Sequence, residues 1–221
     1  FTSIVLAFVI SLELGMLLIR SKKLRRFMLP PLFVIDSIPL FLLALLLLVL
    51  LASPSFFQLF PVFGLGYHAL PTGSWLQRTS ILAQYLALPV LCLTLSSVPY
   101  LANLIYRSFS EEGKKDYART AKVKGFSEGQ VIRKQLLRNT LLPTITVLSD
   151  ALPALVAGTV VVETIFAIPG MGRLLVSSVL ARDYPVIVAI VLLVAVFRAI
   201  VYLLADVCYS IADPRIKHAS A

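Results

Sequence analysis

The chain has 221 residues, of which 59% are hydrophobic and only 14% are charged, and its mean hydropathy is +0.93. Soluble domains carry about 25% charged residues, so this composition excludes an ordinary soluble enzyme or binding domain. The formal net charge of +9 would by itself suit nucleic-acid binding. Its distribution argues against a nucleic-acid partner, because the basic segments alternate with apolar ones along the chain.

Apolar segments of about 20 residues, enough to cross a hydrocarbon core of about 30 Å, recur five times. We predict membrane spans over 1–19, 32–52, 81–106, 141–162 and 186–209. The predicted fold is therefore all-α, with 1–221 forming one polytopic transmembrane domain. Because residue 1 is Phe and the first span begins without a charged flank or cleavage site, we expect a preceding helix and six spans in the full chain.

The basic residues predict the orientation of the chain. Sixteen of the 20 Lys and Arg fall in three segments, and only three fall in the segments between them. The basic segments are 20–26, 107–138 and 215–217, and the others are 53–80 and 163–185. Since basic loops remain on the cytoplasmic side, we expect a cytoplasmic loop over 107–140, outer loops over the two poorly charged segments, and a cytoplasmic C-terminus.

The loop over 107–140 (hereafter the basic loop) has its own helical pattern. Residues 114–124 have helical spacing, and Gly125 is expected to end that helix. Ser127 and Gln130 form an S-x-x-Q capping box, which predicts a second helix. The apolar stripe of the second helix consists of Val131, Ile132 and Leu136. This stripe suits docking into a groove on a protein, and binding to acidic lipid headgroups is the alternative.

Charged residues within the predicted spans are candidates for the pore or for structural pairing, because each costs roughly 2.5–3.5 kcal/mol at mid-helix. The charged residues are Glu13, Asp36, Asp150, Arg198 and Asp206, of which the last four are the candidates. We expect Arg198 to pair with Asp150, or with Asp206 two turns along its own helix. Structural pairing is favoured over direct contact with a solute.

The remaining sequence predicts no chemistry. Both Cys lie in predicted spans, the two His lie apart in a loop and the tail, and no phosphate-binding loop, GxSxG or HExxH motif occurs. We therefore expect no catalytic, cofactor or metal site. In the outer segment, 169–172 predicts a turn and 173–181 a short amphipathic helix.

Several segments resemble one family. Residues 116–125 (DYARTAKVKG) followed by 137–143 (LRNTLLP) resemble the cytoplasmic "EAA" loop of ATP-binding-cassette importer permeases, in the dipeptide, oligopeptide and nickel branch. Residues 161–175 (VVETIFAIPGMGRLL) and 182–185 (RDYP) resemble the first permease subunit of that branch. Residues 212–216 (ADPRI) resemble the C-terminal ending of that subunit. The chain departs from the family at several positions. Tyr202 stands where we expect Asn, and Asp36, Asp150 and Arg198 are not family features. Arg119 stands where the broader consensus has Glu, although the peptide branch commonly has a basic residue there.

The resemblance implies a non-catalytic permease in the bacterial plasma membrane. Its implied partners are a second permease, two cytoplasmic ATP-binding-cassette ATPases and an extracytoplasmic binding protein. It implies that the loop couples ATPase closure to pore opening through Asp116, Ala118, Arg119, Thr120, Ala121, Gly125, Ser127, Val131, Ile132 and Leu136. Peptides are the implied solute, and nickel or another small solute is the alternative. An ion-coupled secondary transporter is less favoured, because the halves show no internal repeat.

Overall fold

The computed structural model describes residues 1–61, 64, 75–157 and 159–212, and among these every regular element is a helix. For residues 122, 154–157 and 208–212 only the backbone is described. The helices are α1 (Thr2–Arg20), α2 (Lys22–Asp36), α3 (Leu40–Ala52), α4 (Trp75–Glu112), α5 (Asp116–Val123), α6 (Glu128–Gln130), α7 (Leu137–Ala157), α8 (Val160–Ile165), α9 (Met171–Ala181) and α10 (Tyr184–Ala212), and a π-helical turn (Val131–Leu136) joins α6 to α7. The all-α prediction is confirmed.

Helix α4 packs against four other helices. It has 38 residues and is therefore about 57 Å long, and α1, α2, α3 and α7 all contact it. The predicted span over 81–106 lies within α4, which continues to Glu112. Residues 107–112, which we assigned to the basic loop, are thus the last turns of this helix, and the irregular turn begins at Gly113.

The contact between α1 and α4 depends on small side chains. The contact face of α1 is a run of buried residues at four-residue intervals: Ser3, Ala7, Ser11 and Gly15. Ser11 Oγ donates a 3.2 Å hydrogen bond to Val98 O, and Thr94 Oγ1 donates one of 3.3 Å to Ser3 O. Small residues let membrane helices approach closely, and hydroxyl groups then bond across the interface.

The predicted span over 32–52 is not continuous. Helix α2 ends at Asp36, α3 begins at Leu40, and the two meet at an angle of 100°. Pro39 is the N-cap of α3. Because proline has no N–H to continue a helix, and because it disfavours the helical conformation of the preceding residue, the chain turns at this point.

The predicted helix of the loop and the predicted span over 141–162 are divided differently in the structure. The backbone remains helical through the π turn, where Leu137 N–H donates to Ile132 O, so the second loop helix runs directly into α7. At the other end α7 stops at Ala157, and the separate helix α8 begins at Val160. The boundary at 141 was wrong because a capping signal marks only the start of a helix, and no breaker follows it.

Among the described residues, three helices are long and apolar enough to cross a membrane: α1, α4 and α10 over Tyr184–Val207. The bent pair of α2 and α3 supplies a fourth span if it is counted as one. In the predicted outer loop over 53–80, residues 62, 63 and 65–74 lie outside the described residues, and α4 already begins at Trp75. The tail from 213 to 221 also lies outside them. The helix predicted over 173–181 is present as α9, which packs against α8 and α10.

We predict that Gly15→Val separates α1 from α4. A Cβ at Gly15 would lie 2.5 Å from Ile105 Cγ2, and overpacking of this kind costs about 1–3 kcal/mol. The measurement is the temperature at which a maleimide dye reaches the buried Cys92 in a Cys208→Ser background in detergent. The matched control is Gly129→Ala, whose Cβ would lie 3.4 Å from Arg20 Nη2, an ordinary contact. We expect a lower reaction temperature for Gly15→Val alone; equal temperatures for the two variants would contradict the close α1–α4 contact.

Candidate functional site

The base of the basic loop is held by a polar network that joins three helices. At the end of α4, Glu112 accepts a hydrogen bond from Tyr117 of α5 and pairs with Lys115 at 2.6 Å. Asn139 Nδ2, in the first turn of α7, donates to Tyr117 Oη at 3.2 Å. Burial, and then the hydrogen bond to the carboxylate, raise the pKa of Tyr117 to about 12, so its hydroxyl group stays protonated and donates at physiological pH.

The turn between the two loop helices has the predicted geometry. Gly125 adopts a φ of 83°, and Phe126 N–H donates to Ala121 O at 3.3 Å, which closes α5 with a Schellman-type bond. The capping box is present in full: Ser127 N–H donates to Gln130 Oε1 at 2.9 Å, and Gln130 N–H donates to Ser127 Oγ at 3.4 Å. Because no atom lies within 4 Å of a Cβ built at Gly125, the positive φ, and not crowding, favours glycine there.

The apolar stripe of the loop does not face outward, which corrects our expectation that it docks into a groove on a partner. Ile132 is 2% exposed and packs in a cluster with Met16 of α1 and with Ile105 and Phe109 of α4. The loop contributes the buried residues Ala118, Ala121, Val131, Ile132 and Leu136 to this cluster. Amphipathic spacing shows that one face of a helix is covered but does not show whether the same chain covers it.

The exposed face of the basic loop consists of the predicted coupling residues that are not buried, together with the turn at Gly125. Val123, at the end of α5, is 88% exposed, and Phe126, just after the turn, is 38% exposed. Asp116, Arg119, Thr120, Lys124 and Ser127 are also exposed. Two apolar side chains thus protrude from a charged surface beside Gly125. The amphipathic pattern did not indicate Val123 as a docking residue, because its exposure depends on how α5 packs on the other helices.

A second polar cluster lies on α7 and α10. Tyr202 Oη accepts hydrogen bonds from Arg198 Nε at 3.0 Å and Arg198 Nη2 at 2.7 Å, and it donates to Asp150 Oδ1 at 2.8 Å. The guanidinium carbon also lies 5.3 Å from the centroid of the Tyr202 ring. We predicted direct pairing of Arg198 with Asp150 or Asp206; instead Tyr202 connects Arg198 to Asp150.

The other two charged candidates occupy different places. Asp206 lies on α10 one turn beyond Tyr202 and is exposed, so it continues the same stripe. Asp36 is the last residue of α2 and is also exposed. Among the described contacts, the structure therefore joins Asp150 with Arg198, aligns Asp206 with them, and leaves Asp36 on a separate element.

Glu163 of α8 fixes the start of α9. Its Oε2 accepts a 2.8 Å hydrogen bond from Arg173 N–H in the first turn of α9, where a carboxylate is favoured by the unpaired N–H groups and the helix dipole. A Cβ built at Gly170 would lie 2.5 Å from the Glu163 carboxylate oxygens. Glycine is therefore required where the backbone passes the carboxylate, a role that the E-x₆-G spacing of the sequence could have indicated.

We predict that Tyr117→Phe loosens the base of the basic loop. The change removes the hydroxyl group that donates to Glu112 and accepts from Asn139, and loss of a hydrogen bond to a charged group costs about 1.5–3 kcal/mol. Hydrogen exchange of 116–138 in the purified protein should become faster. Tyr184→Phe, which removes a hydroxyl group from a 69% exposed ring at the start of α10, is the control and should leave exchange in the loop unchanged. Unchanged exchange in Tyr117→Phe would show that the network does not hold the loop.

The comparisons with known proteins cover nearly the whole chain. Residues 3–218 match the family model described as "Binding-protein-dependent transport system inner membrane component". The chain is 38% identical over 181 residues to the dipeptide transport system permease protein DppB of Bacillus subtilis, an alignment covering 82% of this chain and 53% of that protein. It is 42% identical over 134 residues to the oligopeptide transport system permease protein AppB of the same organism, covering 61% and 42% respectively.

A third relative is the oligopeptide transport system permease protein OppB of Haemophilus influenzae, 36% identical over 157 residues, with 71% of this chain and 50% of that protein covered. The chain spans about half the length of these curated relatives. With the all-helical fold and its span-length apolar helices, the match over 3–218 identifies the chain as a multi-pass membrane protein of the binding-protein-dependent transport system inner membrane component family.

Proposed function

We propose that the chain is a pore-forming subunit of an ATP-driven importer of di- and oligopeptides, and that its basic loop transmits the motion of an ATPase to the pore. The names of the relatives support the solute, since they are permeases of dipeptide and oligopeptide transport systems. These names do not favour the alternative of nickel or another small solute, and the family assignment disfavours an ion-coupled secondary transporter.

The observation that carries the coupling role is the unbroken helical path from the loop to α7. A force on α6 passes through the π turn into α7 without an intervening flexible segment, because Leu137 and Val131 keep helical backbone angles. π turns inside helices occur frequently at functional sites. The buried cluster around Ile132 meanwhile holds the loop against α1 and α4.

We assign the docking contact to the exposed side of the loop. A partner groove requires apolar side chains that are free to enter it, and in this chain Val123 and Phe126 meet that requirement whereas Ile132 does not. Thr120, Arg119 and Lys124 surround them and provide the polar rim typical of protein interfaces. The proposed partners are two cytoplasmic ATP-binding-cassette ATPases, together with a second permease and an extracytoplasmic binding protein.

The orientation is part of the proposal. The bias of basic residues toward 107–138 supports a cytoplasmic loop and C-terminus, with α9 on the outer side. In this orientation the basic loop meets an ATPase in the cytoplasm, and α9 faces the extracytoplasmic binding protein.

We predict that Val123→Asp weakens ATPase binding without unfolding the permease. A carboxylate is tolerated at an 88% exposed position, but it would be desolvated in a partner groove. Co-purification of the ATPases with tagged permease and peptide-stimulated ATP hydrolysis should each fall at least about tenfold, the effect of about 1.4 kcal/mol.

Two further variants make this test specific. Val123→Thr keeps the side-chain shape and should retain co-purification, whereas Ile132→Asp should reduce the yield of folded permease, because a charge would enter the internal cluster. If Val123→Asp folded normally and retained full ATPase binding, the assignment of the docking face would be wrong.

We predict that the basic loop and α9 are labelled from opposite sides of the membrane. In a background without Cys92 and Cys208, Lys124→Cys should react with a membrane-impermeant thiol reagent only after spheroplasts are opened. Ser177→Cys, in the exposed part of α9, should react in intact spheroplasts. The reverse pattern would refute the orientation and, with it, the access of an ATPase to the basic loop.

A further inference from the structure

The cluster of Asp150, Tyr202 and Arg198 has binding capacity that its internal bonds do not use. A guanidinium group has five N–H donors, and Tyr202 Oη takes two of them, one from Nε and one from Nη2. Among the described contacts, the other edge of Arg198 is open, and Arg198, Tyr202 and Asp150 are all exposed. Tyr202 thus fixes the direction of the guanidinium group while leaving a pair of donors free.

This open cluster lies deep in the apolar part of the chain. Arg198 is at the midpoint of α10, 14 residues from each end (Tyr184 and Ala212). Hydrocarbon offers no hydrogen-bond acceptor, and a charged side chain at this depth must face water, protein or a polar ligand. Tyr202 and Asp206 follow Arg198 at intervals of one turn, so the polar stripe extends from the midpoint toward the C-terminal end of the helix.

The stripe differs in composition from the contact between α1 and α4. The α1–α4 contact uses Ser3, Ala7, Ser11 and Gly15 at four-residue intervals, as membrane helix interfaces commonly do. The stripe on α10 instead presents two charged side chains and a tyrosine at the same interval. Beyond the bond from Tyr202 to Asp150 of α7, this face carries large charged side chains, which hinder close helix packing and favour a water-filled path.

We propose that Arg198, oriented by Tyr202 and Asp150, is a binding site for the carboxylate of the transported solute, placed on the translocation path. The proposal rests on the proposed function of peptide import. A guanidinium edge binds a carboxylate through two parallel hydrogen bonds. Asp150 and Asp206 add negative charge beside it, so the stripe suits a zwitterion with one carboxylate and one ammonium group and disfavours a polyanion.

The test uses the assembled transporter in proteoliposomes, without Cys92 and Cys208. Ala195 is exposed and lies three residues before Arg198, hence on the same face, whereas Leu193 is 51% exposed on a different face. Ala195→Cys should react with water-soluble methanethiosulfonates, and the anionic sulfonatoethyl reagent should react at least about threefold faster than the cationic trimethylammonioethyl reagent. Adding Arg198→Gln should abolish this preference. Leu193→Cys, the matched control, should react slowly with both.

The ligand class is tested by protection of the same cysteine. An excess of a dipeptide should slow the labelling of Ala195→Cys, and the C-terminal amide of that dipeptide should protect at least about fivefold less. Tyr202→Phe, which releases the guanidinium group, should reduce protection by the dipeptide, while Arg173→Gln, on α9, should not.

Each other outcome overturns the proposal. An unreactive Ala195→Cys would place the stripe in a protein interface, and labelling without anion preference would show a water-filled path without an anion site. Equal protection by acid and amide would exclude the carboxylate as ligand. Failure of the proposed function would appear separately, as a transporter with wild-type Arg198 that takes up no peptide and shows no peptide-stimulated ATP hydrolysis.

Discussion

The arrangement of this chain depends on the burial of the apolar side of the basic loop. Val131, Ile132 and Leu136 are almost fully buried against α1, α4 and α5, and burying one such side chain contributes about 1.5–3 kcal/mol. A strongly charged segment is thereby held as a folded unit beside apolar helices. Because the buried side is occupied internally, the apolar stripe is not available to another protein.

A loop held in this way can move together with α7 as one rigid element. Helix α6, the π turn and α7 form one helical path, and Asp150 lies 13 residues beyond Leu137, a distance of about 20 Å along the helix. The network of Glu112, Tyr117 and Asn139 ties the same path to the end of α4. The start of this helical path is therefore attached to α4, and Asp150 of the polar cluster lies farther along it.

Local signals in the sequence predicted local geometry well. The capping box of Ser127 and Gln130 and the left-handed turn at Gly125 are both present, because each depends on a few neighbouring residues. Contacts between distant residues were not predictable in the same way. The sequence indicated that Ile132 is covered but not by what, and the 100° corner at Pro39 interrupts a segment whose composition alone resembles one span.

The polar cluster shows the same division. Charged residues at Asp150 and Arg198 were visible in the sequence, since few charges occur in apolar helices. The bridge between them was not, because Tyr202 reads as one more large side chain on α10 until α7, which contributes Asp150 from 52 residues earlier, is placed beside it. The side-chain chemistry predicted a pair, and only the packing of α7 on α10 determines that a hydroxyl group mediates it.

The hydrogen bond from Tyr202 to Asp150 also joins two helices that can move relative to one another, α10 and α7. Asp150 moves with α7, while Tyr202 and Arg198 move with α10, and the 2.8 Å bond between Tyr202 and Asp150 crosses that boundary. O–H···O hydrogen bonds in proteins span about 2.5–3.0 Å, so a shift of α7 by about 1 Å takes the pair outside that range. The bonds within α10 would survive such a shift, because Arg198 and Tyr202 lie one turn apart on the same helix. Displacement of the basic loop would therefore change the charge beside Arg198 before it changed the orientation of the guanidinium group.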